Sequence, residues 1–184
     1  MLVSGDKAVV VIFDMQLELI PLLVNGSQVL HDCCWVAEMA REFDLPLLLT
    51  EHKKLGGLPL SLHEVTESVP RLEKEHFDFL REPHIAEHVA SCDREQYVLA
   101  GAETHVVVFQ SALSLVQRGK TVFLLADSCS SRNRSDHDVG IDRLRRNGVH
   151  LLTREMLFFE LIGNSEDPRY LELAKKYLDG RYIR

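Results

Sequence analysis

Short, continuous apolar runs alternate along this chain with segments of helical periodicity. The first run, Ala8 to Phe13, reads AVVVIF and ends at Asp14-Met15-Gln16. A β-branched run this short suits a strand buried on both faces, as in a parallel sheet. A helix is predicted from Ser27 to Phe43, with Leu30, Cys34, Ala37 and Ala40 at helical spacing. Pro46 to Thr50 reads as the second buried strand, and Val69 to Glu73 as a short third one. Between them, Glu51 to Pro70 has weak periodicity and carries Gly56, Gly57, Pro59 and Pro70. It reads as a long surface excursion with a short helix, and loops of that length are usually functional.

The alternation continues to the end of the chain. Pro83 opens a helix over His84 to Ser91. Gln96 to Ala100 is a strand closed by Gly101, and Val106 to Gln117 a helix stopped by Gly119. Thr121 to Ala126 is the fifth strand and ends at Asp127, Ser135 to Asn147 is a helix, and Val149 to Leu152 is the sixth strand. Thr153 caps a helix that begins with Glu155 and Met156. A last helix, Pro168 to Leu178, places Tyr170, Leu173, Ala174 and Tyr177 on one face. Strands and helices at this spacing imply βαβ units with right-handed crossovers. The predicted fold is α/β: a three-layer α/β/α sandwich around a doubly wound, six-stranded, mostly parallel sheet of the Rossmann-like kind. No linker composition, repeat or low-complexity tract divides the chain, so residues 1–184 are expected to form one domain.

Composition narrows the partners. With 21 basic and 28 acidic residues the net charge is -7, which argues against a general nucleic-acid binder. No apolar run reaches the length of a membrane span, and no basic-then-apolar leader opens the sequence. The four cysteines, Cys33, Cys34, Cys92 and Cys129, form neither a disulfide framework nor a zinc ribbon. Reduced thiols in a cytoplasmic protein are the expectation.

The chemistry should lie at the strand ends. In open α/β sheets ligands bind in the crevice beyond the carboxyl edge. Asp14-Met15-Gln16, the turn from Gly101 to His105, and Asp127-Ser128 all reach that edge. Asp14 could equally cap the next helix. Lys74, in Glu73-Lys74-Glu75-His76-Phe77, is either a solvated surface charge or a cation near the rim that tunes a carboxylate. His105 in the turn could contact substrate or make a structural hydrogen bond. Glu51 and His52 end the second strand, with His63 and His76 within reach in sequence, but the spacing does not make a metal site.

Together these elements resemble the isochorismatase-like hydrolase superfamily over nearly the whole length. The resemblance rests on Asp14-Met15-Gln16, on Lys74-Glu75-His76-Phe77, on the turn from Ala100 to Val108, and on Asp127-Ser128-Cys129-Ser130-Ser131-Arg132. The stretch from Asp127 to Gly163 is most similar to the single-domain isochorismatase domain-containing branch. The resemblance implies a triad of Asp, Lys and Cys. Asp14 and Lys74 hold the first two positions, and Val107 holds that of the cysteine. Gln16, Phe77, Glu103, Thr104 and His105 are the implied substrate-binding positions. A cis peptide is implied at Glu103-Thr104, and backbone amides of the turn would form an oxyanion hole. No cofactor or metal is implied, and a homo-oligomer is expected.

Valine has neither lone pair nor proton to lose, so thiol chemistry is excluded at position 107. The family's isochorismatases work without that cysteine, protonating a vinyl ether with a carboxylic acid of raised pKa before water completes hydrolysis. The expected function is therefore acid-assisted hydrolysis of an unidentified small molecule through Asp14 and Lys74, with Gln16 orienting it. The alternative is an inactive homologue serving as a small-molecule-binding or oligomeric assembly module. A third reading moves the nucleophile to Cys129 or Ser111.

Overall fold

The computed structural model describes residues 1–178. Six strands form one sheet: β1 (Ala8–Phe13), β2 (Leu47–His52), β3 (Arg71–Lys74), β4 (Gln96–Ala102), β5 (Thr121–Ser130) and β6 (His150–Leu152). Their order is β3-β2-β1-β4-β5-β6. Every pairing is parallel, so the sheet is wholly rather than mostly so. From β1 the chain winds outward to β2 and β3, then returns to the other side of β1 as β4. The winding direction thus reverses between β1 and β4. Connections leave these two strands in opposite directions there, and a crevice opens at their carboxyl ends.

Alternate residues of each strand face opposite layers. Val10, Ile12, Leu49, Val98, Ala100 and Phe123 pack beneath α1 (Gly26–Glu42). Val9, Val11, Phe13, Leu48, Leu99 and Leu124 face the other way, towards α3 (Pro83–Ser91), α4 (Phe109–Gln117) and α5 (Arg134–Arg146). All six β1 residues are buried, as a strand covered on both faces requires. A short α2 (Leu60–Val65) lies in the excursion after β2. At the far end, α6 (Arg154–Ile162) and α7 (Tyr170–Tyr177) close a third cluster. There Phe158, Leu173, Ala174 and Tyr177 pack on Met39, and Tyr177 accepts a hydrogen bond from Trp35 Nε1 at 3.1 Å. The α7 tyrosine face is thus internal, while Met156 and Phe159 of α6 remain exposed.

Several expectations need correction. The buried stripe of α1 is Val29, Cys33, Val36, Ala37 and Ala40, with Leu30 and Cys34 only at its margin. β3 starts later than predicted, at Arg71, and takes in Lys74, because its ladder with β2 pairs Leu49 with Arg71 and His52 with Lys74. β5 does not stop at Ala126. Its register against β4 jumps from Leu99 opposite Leu124 to Gly101 opposite Cys129, and the ladder continues through Ser130. The chain after β4 does not enter an α-helix at Val106. It makes a π-helical turn over Thr104–Val108 before α4 begins, because the Glu103 carbonyl accepts from both the Val106 and Val108 amides at 3.1 and 3.2 Å. The cis peptide lies at Ala102-Glu103, one bond earlier than expected, where the ladder ends and the turn begins.

Candidate functional site

Asp14 follows β1 directly, in a left-handed backbone conformation (φ 47°) uncommon for a residue with a side chain. The chain turns sharply there, so the carboxylate swings from the sheet edge towards β2 and β3. Thr50 Oγ1 donates to its Oδ1 at 2.6 Å. Lys74 Nζ donates to its Oδ2, also at 2.6 Å. The lysine is the last residue of the edge strand β3, yet its exposure is 0%. The surface-charge alternative for Lys74 is overturned. Strand β3 reaches this pairing only because it extends to position 74.

Burial pushes the Asp14 carboxyl above its ordinary value, while the Lys74 charge and the hydrogen bonds from Lys74 and Thr50 pull it back. A buried pair at this distance is costly to desolvate and is held by geometry that satisfies both oxygens.

Gln16 is buried, but its amide is occupied by backbone. Its Nε2 donates to the carbonyls of His52 and Gly56, and its Oε1 accepts from the His52 amide at 2.7 Å. It fastens the loop after β2 to the end of β1.

The turn after β4 forms the opposite wall. Gly101 is required here: at φ 104°, a Cβ would lie 2.2 Å from the Phe13 carbonyl oxygen. This close approach of β4 to β1 brings Ala102, Glu103, Val106 and Val107 up to Asp14. The Val106 and Val108 amides already serve Glu103, so neither is free for an oxyanion.

A cavity of about 220 Å³ lies between these walls. Asp14 is at its floor, and Ala102, Glu103, Val106 and Val107 form one side. Leu19, Leu22, His52, Leu55, Phe77 and Arg132 complete it. Phe77 and Leu22 stand 54% and 59% exposed at the mouth. Val107 is 3% exposed and presents hydrocarbon at the position the resemblance gives to a thiol.

Of the sequence-predicted residues, Asp14, Phe77, Glu103 and Val107 meet at this cavity, with Lys74 directly behind Asp14. Gln16 holds backbone instead. Thr104 is fully buried: its Oγ1 donates to the Ser130 carbonyl at 3.0 Å and lies 2.9 Å from His137 Nδ1. His105 Nδ1 lies 2.9 Å from Ser131 Oγ, on the side facing α5. Neither Thr104 nor His105 lines the cavity. Asp127 instead accepts from the Arg154 amide and guanidinium at the start of α6.

Leu19, Leu22 and Leu55 were not predicted, nor was a site role for His52 other than metal binding, or any role for Arg132. The leucines follow the Asp14 turn and the second strand, and such apolar residues in loops carry the signal of an apolar pocket wall.

The two candidates for a relocated nucleophile, Cys129 and Ser111, are buried outside the lining of this cavity. Burial pushes the Cys129 and Cys33 thiols well up. Ser111 is fully buried and hydrogen-bonded to backbone, accepting from the Phe79 amide at 3.2 Å. Among the described residues no three His, Cys, Asp or Glu side chains converge as a metal site, and no helix is long and apolar enough to cross a membrane.

The sheet order, the crevice at the β1/β4 reversal and the acid–amine pair buried beside it define a doubly wound α/β protein with one candidate site at the carboxyl edge of its sheet. Residues 7–156 match the isochorismatase domain, and the chain belongs to that family. It is 27% identical over 173 residues to isochorismatase domain-containing protein 2 of Xenopus laevis, covering 93% of this chain and 84% of that protein. In structure it resembles the MAR1 ribonuclease of Caenorhabditis elegans, with a TM-score of 0.88 and 24% identity over 97% of this chain and 93% of the other. It also resembles the YcaC gene product of Escherichia coli, described as an octameric hydrolase of unknown specificity, with a TM-score of 0.84 and 21% identity over 96% of each chain.

Proposed function

We propose that this isochorismatase-family protein hydrolyses a small molecule by acid assistance, without a thiol nucleophile. The observation that carries the reading is the 2.6 Å contact between Lys74 Nζ and Asp14 Oδ2 at the floor of an open apolar cavity. In its protonated form Asp14 is the general acid. It delivers a proton to the unsaturated carbon of a vinyl ether; water adds to the resulting oxocarbenium ion and returns a proton to the Asp14 carboxylate, and the hemiketal so formed breaks its C–O bond to give a carbonyl compound and the alcohol. Burial favours the protonated acid, and Lys74 compensates its conjugate base once the proton has left. Val107 keeps that wall hydrocarbon, and Gln16 fixes the loop that carries Leu55. Phe77 and Glu103 contact substrate, while Thr104 and His105 support the turn from behind.

Purified protein incubated with a panel of small enol ethers should release the corresponding alcohols. Asp14→Asn should abolish that release. Full activity in this variant would reject the assignment.

A second reading, a binding or assembly module with the chemistry lost, draws on one observation: Val107 lines the cavity wall, at the position that the resemblance gives to a cysteine. Under it, ligands bind the cavity and no member of the panel turns over. In either case we place the protein in the cytoplasm and read it as a homo-oligomer; the octameric YcaC gene product that it resembles in structure supports the second of these. Light scattering on a sizing column measures the assembly.

A further inference from the structure

The cavity's charges are nearly all spoken for, and what is left over describes a ligand. Asp14 has Lys74 at 2.6 Å. Glu103 has Arg132: its Oε1 accepts from the Arg132 backbone amide at 3.1 Å and from the guanidinium Nε at 3.0 Å. That bond uses one edge of the guanidinium. Among the described residues neither terminal nitrogen of Arg132 has a hydrogen-bond partner in the protein. The side chain is 55% exposed at the cavity rim. A guanidinium offers donors only, in a planar fork that matches a carboxylate.

The remaining wall is mainly apolar: Leu19, Leu22, Leu55, Phe77, Val106 and Val107. At about 220 Å³ the space falls below the ~300–1,000 Å³ of sites that hold drug-sized ligands. It suits a single ring or a short branched chain.

We infer that the cavity takes a small monoanion with an apolar body, its carboxylate held by the terminal nitrogens of Arg132 and its body against Phe77, Leu22 and Val107. This rests on the reading of the cavity as the substrate site and adds the class of substrate. Arg132 is then the residue that selects it. A second carboxylate would face a wall that is hydrocarbon apart from His52, where an unpaired charge is strongly disfavoured. A dianion such as isochorismate is therefore a poor fit, although the family carries its name. A cationic ligand would have to compete with Lys74 and Arg132 for Asp14 and Glu103.

The test uses the full-length protein and four single-ring probes: benzoate, benzamide, benzylamine and phthalate. Binding is followed by ligand-observed NMR or calorimetry. Benzoate should bind most tightly of the four. Arg132→Gln should weaken benzoate by about tenfold or more, as expected for loss of a charge-assisted bidentate contact, and should change benzamide by less than about twofold. Arg132→Lys, which keeps the charge but loses the fork, should fall between. Because the Arg132 side chain is half-exposed and its backbone amide still serves Glu103, both variants should fold, and circular dichroism checks this. Tighter binding of phthalate or benzylamine than of benzoate would overturn the inference. So would benzoate binding that Arg132→Gln leaves intact, or no benzoate binding at all. Asp14→Asn separates the two levels of the argument: it should stop turnover and leave benzoate bound. Turnover surviving in Asp14→Asn would refute the acid chemistry without touching the anion subsite.

Discussion

Replacing Lys74 with methionine isolates the energetics of the buried pair. Methionine keeps most of the side-chain volume, so little of the effect comes from a cavity. Among the described residues it removes the only ammonium within hydrogen-bonding distance of a carboxylate that is 3% exposed. Breaking a buried ion pair from one side costs about 3–5 kcal/mol. With a urea dependence of about 2 kcal/mol per M, the unfolding midpoint should fall by roughly 1.5–2.5 M at pH 8.

The loss should also depend on pH in a definite direction. In the wild-type protein burial already raises the Asp14 pKa above 3.8, with Lys74 opposing the rise. Without Lys74 the folded-state value climbs further. A carboxyl raised in the folded state contributes stability that is fully present below its unfolded value and is lost as pH rises through the folded one. The Lys74→Met deficit should therefore be largest at pH 8 and shrink on acidification towards pH 5, as Asp14 takes up its proton. Urea titrations at the two pH values measure both quantities. A deficit under about 1 kcal/mol at pH 8, typical of an exposed pair, would refute the buried-pair argument. So would a deficit that does not change with pH.

Other consequences can be measured separately. Thr50→Val removes the donor to Asp14 Oδ1 and should destabilise by about 1–3 kcal/mol in chemical denaturation. Gly101→Ala should cost more than the ~1–3 kcal/mol of backbone strain alone, because its Cβ meets the Phe13 carbonyl; thermal melting reads this. Val107→Cys should place a thiol in the cavity wall that iodoacetamide labels before Cys33 or Cys129, and peptide mapping identifies the site. Glu82 is held down to about 2, first by hydrogen bonds from the Glu75 and His76 amides. Its contribution is present above 4.5 and lost as pH falls towards 2, so Glu82→Gln should flatten the acid limb of the stability profile in that window.

The strands and their alternation with helices were legible because buried parallel strands are continuous apolar runs and the helices carry their own period. Asp14 was legible because a polar residue ending such a run has few places to point. Lys74 was not legible from its own surroundings: Glu73, Glu75 and His76 read as solvent-exposed sequence, and only the ladder pairing His52 with Lys74 turns it inward. That Gln16 and Thr104 bond to backbone rather than line the cavity was hidden for a related reason. Adjacency to a site in sequence does not distinguish a side chain that faces ligand from one that holds the loop behind it. Arg132 was missed as a wall residue because its position depends on the register jump in β5, which has no local signature. The boundary errors around Val106 and Ala126 arise at the same junction, where the turn and the bulge are set by contacts between strands distant in sequence.

Asp14 and Lys74 hang from β1 and β3, moored by Thr50 on the strand between them. Position 107 belongs to a separate turn beyond β4 and provides none of that mooring. A single codon change at 107 can therefore exchange sulfur for hydrocarbon while the acid and its amine stay where they are. The architecture leaves the chemical character of that wall open to exchange, with no rebuilding of the scaffold.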